Sequence, residues 1–325
     1  MAPKPINLVL DWDGTLTTKD TMFAYGKIAD IRDARQGKTP KGSTSFKAFG
    51  RAWMDDYTVH EQTYTPKAED RLLPPQESAW LKSLAKVEDS SAKRVESSGF
   101  FAGVTLRDVS DAAKVLLESG EVSLRAGWED VFSQAFKNSI GQSHHDRGIF
   151  GLGISILSVN WSESFIRRSL MIAASRSSLA GGDDFQDFLD GDFRIIANEI
   201  SGLQQPSGSS GLLTDPDHAI VRTSFDKLQN FKVQVSSHNV YVGDSATDFD
   251  CLLAADLGIC IRDAQMSSSA KTLAATLSRV GFEVRHVREI GSWQELASSS
   301  NLLWASDFNE ILNLLERLQK FDGRE

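Results

Sequence analysis

The run Ile6-Asn7-Leu8-Val9-Leu10, with Pro5 before it and Asp11-Trp12-Asp13-Gly14 after it, constrains the fold more than any other segment of the chain. It is short and mostly apolar, without polar alternation, so it has no face to offer water and reads as a strand of a parallel sheet covered on both sides. The strand ends at Asp11. Ligands of open parallel sheets bind beyond the carboxyl ends of the strands, and here two carboxylates stand at such an end. Residues i and i+2 of an extended chain point the same way, so Asp11 and Asp13 face one side and Trp12 the other, while Gly14 permits a tight turn. A plainer reading is that Asp and Gly merely stop the strand.

From Thr21 to about Gly120 the pattern changes. Trp80, Leu81, Leu84 and Val87, then Val109, Ala112, Ala113, Leu116 and Leu117, recur at helical spacing with no convincing strand between them, which predicts a mostly helical insertion. Beyond it strands and helices alternate. Strand-like runs are Gly153–Leu157, Phe193–Ile200, Val240–Val242, Leu257–Ile261 and Phe282–Val287. Helical stretches include one N-capped by Ser162, one carrying Phe225, Leu228 and Phe231, another over Ala246–Ala255, and a last over Phe308–Leu318. The alternation predicts an α/β fold, a Rossmann-like, doubly wound parallel sheet, with the helical insertion after its first strand. The expected division is a core of residues 1–20 and 121–325 and a helical cap of residues 21–120.

A second acidic segment follows Val240-Tyr241-Val242: Gly243-Asp244-Ser245-Ala246-Thr247-Asp248. Asp244 ends a strand and Asp248 opens the next helix, so both can lean toward one point; helix N-capping is the plainer alternative. Four carboxylates (Asp11, Asp13, Asp244, Asp248) at one sheet edge repel each other unless a cation joins them, and Mg²⁺ prefers carboxylate, water and phosphate oxygens. Ser158, just past Leu157, would present its hydroxyl at the same edge. Lys227 would bring an ammonium there, with Lys232 as its rival, and Asn160 and Trp161 are placed for substrate contact.

The formal net charge of −9 argues against nucleic acid or an anionic membrane as partner, since both call for a basic footprint. The N-terminal apolar run is too short for a signal-peptide core or a membrane span, so the expectation is a soluble protein of the cytoplasm, or also the nucleus. Cys251 and Cys260 are too few and too far apart for a redox or zinc motif and read as buried, inert thiols. His144-His145-Asp146 lacks zinc spacing and reads as a polar loop. The acidic stretch Asp183–Asp192 lacks the order of calcium-loop ligands and reads as a solvated helix and turn. Trp53, Trp80 and Trp161 read as packing residues.

In order, spacing and flanking elements, Asp11-Trp12-Asp13-Gly14-Thr15, Ser158, Lys227 and Gly243-Asp244 with Asp248 resemble the four motifs of the haloacid dehalogenase superfamily. Leu124-Arg125-Ala126-Gly127-Trp128 and Ile195-Ile196-Ala197-Asn198-Glu199 resemble its phosphoserine-phosphatase-like branch, whose helical cap is inserted after the first motif. Fungal members and plant phosphatases of thiamine monophosphate are similar too. The resemblance implies a Mg²⁺-dependent phosphatase of a small phosphorylated metabolite. Asp11 would be the nucleophile and Asp13 the general acid and base; Ser158, Asn160 and Lys227 would bind phosphate. Asp11, Asp13 through its backbone carbonyl, Asp244 and Asp248, the last directly or through water, would form the metal site. A phosphotransferase of the same fold and a catalytically weak binding protein are the alternatives.

Overall fold

The computed structural model describes residues 3–141, 149–177, 179, 183–297 and 300–322; the His144-His145-Asp146 segment lies outside the described residues. Strand β1 spans Ile6–Leu10, and the helices of the insertion follow it: α1 Ala24–Arg35, α2 Gly42–Thr63, α3 Pro74–Ser83, α4 Ala85–Ser97 and α5 Leu106–Glu118. Then come α6 Trp128–Ser139, β2 Leu152–Leu157, α7 Glu163–Ser175, α8 Asp183–Asp187, β3 Arg194–Ile196, α9 Ser224–Asn230, β4 His238–Gly243, α10 Phe249–Ala254 and β5 Leu257–Ile261. The chain closes with α11 Ser268–Arg279, β6 Arg285–His286, α12 Trp293–Ala297, β7 Leu302–Ala305 and α13 Phe308–Asp322.

The strands form one sheet in the order β3-β2-β1-β4-β5-β7-β6, every neighbouring pair parallel. Successive side chains of a strand point to opposite faces, and two cores follow from that alternation. Leu8 and Leu10 of β1 and Val240 and Val242 of β4 pack with Phe132 of α6, Leu170 of α7 and Ile311 of α13 on one face. Val9 and Tyr241 pack with Phe249 of α10 and Leu273 and Leu277 of α11 on the other. The sheet is thus doubly wound, and its order reverses direction between β1 and β4, the point at which open sheets of this kind bind ligands at their carboxyl ends.

Within residues 24–118 every regular element is helical. Tyr25, Ile28, Val95, Phe101, Val109 and Ala113 share an apolar cluster with Phe165 of α7, and α1 and α5 pack on that helix. Helix α3 lies elsewhere: its Trp80 and Leu81 join Val9, Tyr241 and Leu252 on the sheet's second face. Burying a side chain such as Leu81 is worth about 1.5–3 kcal/mol. Glu77 of α3 accepts hydrogen bonds from Arg71 Nε at 2.7 Å and Arg279 Nη2 at 2.5 Å, and Ser78 donates to Asp250 at 2.5 Å. The insertion is therefore pinned to α10 and α11 as well as to α7.

Two strands are shorter than their apolar runs suggest. The run Phe193–Ile200 is strand only at Arg194–Ile196, because Ala197–Ile200 bends away to carry side-chain bonds of Asn198 and Glu199; the run Phe282–Val287 pairs only at Arg285–His286. Strand β7, between β5 and β6, went unpredicted: Leu302-Leu303-Trp304-Ala305 holds no β-branched residue and follows a serine-rich stretch. The acidic stretch forms α8 and the turn after it, and both cysteines are buried, with burial pushing the Cys260 thiol up to about 12.

Candidate active site

Register decides which polar residues meet. Leu10 pairs with Val242 on one side and with Ile156 on the other, so the residues leaving β1, β4 and β2 emerge at one level. Asp11 leaves β1 with its amide bonded to Val242 O at 2.9 Å, Asp244 leaves β4, and Ser158 follows β2. Oxygens of Asp11, Asp244 and Asp248 lie within 4.8 Å of one another, all three residues buried.

Two glycines make this approach possible. Gly14 has φ +71°, and a Cβ there would lie 2.7 Å from Asp244 Cγ. A Cβ on Gly243 would lie 2.7 Å from Asp248 Oδ2. The turn after Asp13 is held from outside by Arg125, whose guanidinium donates to Gly14 O at 2.8 Å and Thr15 O at 3.0 Å, and to Asp263 at 2.6 Å.

Lys227 enters from α9, which Thr223 and Asp226 cap reciprocally. Its fully buried ammonium donates to Asp11 Oδ1 and Asp248 Oδ1, both at 2.6 Å. Burial pulls its pKa down, but the two carboxylates outweigh that and hold it charged, above the ordinary lysine value. Lys232 is exposed, and its carbonyl accepts from Asn7, at the opposite end of β1.

Asp248 is engaged on both oxygens. Oδ1 accepts from Lys227 and from the Tyr241 hydroxyl at 2.8 Å; Oδ2 accepts from the amides of Asp244 and Ser245 at 3.1 and 3.0 Å and from Ser245 Oγ at 3.1 Å. Asp244 accepts a hydrogen bond from Ser269 Oγ at 2.9 Å. Burial first, then the neighbouring charge of Asp248, raises the Asp244 pKa to about 7 and drives that of Asp11 up as well.

Asp13 leans away from this cluster. Its Oδ1 accepts from the amide and hydroxyl of Thr21 at 2.7 and 2.6 Å, and its Oδ2 from Asn160 Nδ2 at 2.9 Å. Burial and the charge of Asp20 raise its pKa to about 6 against those hydrogen bonds. Ser158 is fully buried, and its Oγ accepts from the Asn160 amide at 3.1 Å. Asn160 thus has its amide turned to Asp13. The loop carrying both is braced by Asn198, which donates to Val159 O and Asn160 O at 3.1 and 3.0 Å and bonds Val221 in both directions.

Thr21, Tyr241, Ser269 and the bracing roles of Arg125 and Asn198 escaped the sequence reading. Only Tyr241 left a signal: a tyrosine hydroxyl inside an apolar strand needs a buried partner, and an acid seven residues on can supply one.

The donor set suits a hard divalent cation. Three carboxylates and one ammonium leave two negative charges in a buried space, and Asp11 and Asp244 keep carboxylate lone pairs that no protein donor fills among the described residues.

No family model matches the chain. It is similar to a CTO1 family protein of Schizosaccharomyces pombe, 25% identical over 264 residues, or 79% of this chain and 82% of that protein. It is also similar to the mitochondrial bifunctional TH2 protein of Arabidopsis thaliana, 24% identical over 273 residues, or 77% of this chain but 38% of the longer relative. Among solved structures, a phosphoserine phosphatase with a phospho-aspartyl intermediate analogue superposes over 96% of this chain and 99% of its own at 13% identity and a TM-score of 0.44. The fold is α/β and Rossmann-like, a doubly wound parallel sheet with helices on both faces. Among the described residues no helix is long and apolar enough to cross a membrane.

Proposed function

We propose that this chain is a Mg²⁺-dependent phosphohydrolase of the haloacid dehalogenase superfamily, hydrolysing a small-molecule phosphomonoester through a phosphorylated Asp11. The observation that carries the reading is the meeting of Asp11, Asp244 and Asp248 around the buried ammonium of Lys227, at the point where the sheet reverses its order. A salt bridge kept for stability has a cheaper hydrophobic substitute, whereas a buried carboxylate with free lone pairs beside a fixed cation suits charge transfer to and from an anion.

In the proposed reaction a carboxylate oxygen of Asp11 attacks phosphorus and the ester P–O bond breaks. The leaving oxygen takes a proton from Asp13 and departs as the alcohol. Water then gives a proton to Asp13 and attacks the same phosphorus; the P–O bond to Asp11 breaks, inorganic phosphate leaves, and both carboxyl groups return to their first states. A pKa near 6 suits Asp13 to both halves of this cycle close to neutral pH. Lys227 and the Ser158 hydroxyl would stabilise charge on the equatorial oxygens, the main source of catalysis in phosphoryl transfer. Asp11 and Asp244 would hold Mg²⁺, with Asp248 chiefly orienting Lys227, and the ion would supply charge neutralisation for the phosphoryl oxygens.

Release of nitrophenolate from p-nitrophenyl phosphate, with and without Mg²⁺, tests the reading. Turnover that needs Mg²⁺ and vanishes in Asp11→Asn is the expected result. Absence of turnover in the wild type, or equal turnover in Asp11→Asn, would replace this reading with that of a binding protein built on the same fold.

A further inference from the structure

Tyr25, on the first helix of the insertion, touches no carboxylate, yet its hydroxyl is part of the chain of contacts that ends at Asp13. It is fully buried among Phe46, Phe101, Trp161 and Phe165, with ring centroids 5.5 to 6.2 Å away. Its hydroxyl contacts Asn160 Oδ1. The identity of that oxygen is fixed independently, because the Ser162 backbone amide, which can only donate, also points at it from 3.3 Å. Tyr25 therefore donates, and the other end of the Asn160 side chain must be its NH₂, which donates to Asp13 Oδ2 at 2.9 Å and to Thr21 Oγ1 at 3.3 Å.

The same logic fixes Thr21. Its hydroxyl oxygen accepts from Trp12 Nε1 at 3.1 Å and from Asn160, so its single proton goes to Asp13 Oδ1 at 2.6 Å. With the Thr21 amide at 2.7 Å, both lone pairs of Asp13 Oδ1 are filled. Asn160 fills one of the two on Oδ2. A carboxylate offers about four acceptor positions, so one is left, on Oδ2, for a proton that can be passed on.

We infer that Tyr25 is a positioning residue for proton delivery: through Asn160 it fixes which oxygen of Asp13 carries the transferable proton and where that proton points. This rests on the phosphohydrolase reading and adds to it that helix α1 of the insertion sets the geometry of the acid. Removing the Tyr25 hydroxyl leaves Asn160 Oδ1 held by the Ser162 amide alone, at 3.3 Å, so the side chain loosens about its terminal bond and the second lone pair of Asp13 Oδ2 is less firmly directed. The effect must grow with the need of the leaving group for a proton.

The test compares kcat/KM for phenyl phosphate, whose leaving phenolate needs protonation, with that for p-nitrophenyl phosphate, whose delocalised anion departs with little help. In Tyr25→Phe the value for phenyl phosphate should fall about tenfold, part of the roughly 10²–10⁴ that a whole general acid supplies, and that for p-nitrophenyl phosphate less than about threefold. Asn160→Ala should shift the ratio in the same direction and further. The ratio is independent of how much of a variant is folded, so loss of protein cannot imitate the effect. Wild-type turnover with a ratio unchanged in Tyr25→Phe, whatever Asn160→Ala does, overturns the inference and leaves the phosphohydrolase reading standing. A wild type inactive on both esters overturns that reading, and this inference with it.

Discussion

The ammonium of Lys227 stands 2.6 Å from Oδ1 of Asp11, 216 positions away in sequence, with neither group open to solvent. A buried pair of this kind is held by its surroundings, since Asp248 takes a second proton of the same ammonium. Replacing Lys227 by Met leaves two carboxylates facing each other without a counter-charge. Mg²⁺-dependent turnover of p-nitrophenyl phosphate should fall by about 10²–10³, the scale of other electrostatic stabilisers, and the unfolding free energy by about 3–5 kcal/mol. Denaturant titration beside the rate assay checks both. A variant that keeps its stability but loses turnover would separate the two roles of the ammonium.

Gly14→Ala should remove cation binding before it removes the fold. The new Cβ collides with the Asp244 carboxylate, and the residue must keep φ +71°, which costs an L side chain about 1–2 kcal/mol. Isothermal titration with Mg²⁺ should show at least tenfold weaker binding, with the far-ultraviolet dichroism unchanged. Unaltered affinity would mean that Asp244 is not a ligand.

Stability of the metal-free protein should decline as pH rises. The Asp244 carboxyl has a folded pKa of about 7, above its ordinary value of 3.8, so the folded state holds a proton that the unfolded state has released. The stabilisation is fully present below pH 3.8 and is lost as pH rises through about 7. Asp11, raised in the same direction, adds to the slope. Added Mg²⁺ should therefore raise Tm more at pH 8 than at pH 5. A Tm increment that shrinks toward pH 8 would contradict the assignment of these carboxylates to a cation.

Glu77→Gln tests the pin between α3 and α11. It removes the one carboxylate that Arg71 and Arg279 share, and breaking a buried pair from one side costs about 3–5 kcal/mol. Chemical denaturation should register that loss, while kcat of the folded fraction stays within about twofold.

Much of this site was written locally. The apolar run of β1 ends at Asp11, three residues before Gly14, and that of β4 ends in Gly243-Asp244, and those local patterns place Asp11 and Asp244 at strand ends. The choice between Lys227 and Lys232 could not be made the same way, because both lie on one apolar-periodic stretch; the end of α9 at Asn230 decides it by turning Lys232 out to solvent. The roles of Tyr25 and Asn198 left no local trace, since their bonds reach 135 and up to 39 residues along the chain to partners of ordinary composition. Strand β7 was lost because leucine and tryptophan in four residues suit a buried helix turn equally well.

The wide separation along the chain of the groups gathered here bears on how the protein is made. A nascent chain that has emerged only through α5 carries Asp11 and Asp13 but none of the residues from β4 onward that would arm them. Contacts across such distances form late, after most of the loop entropy has been paid. Assembly of the acidic cluster is therefore among the last events of folding, and partial synthesis yields a polypeptide that lacks it.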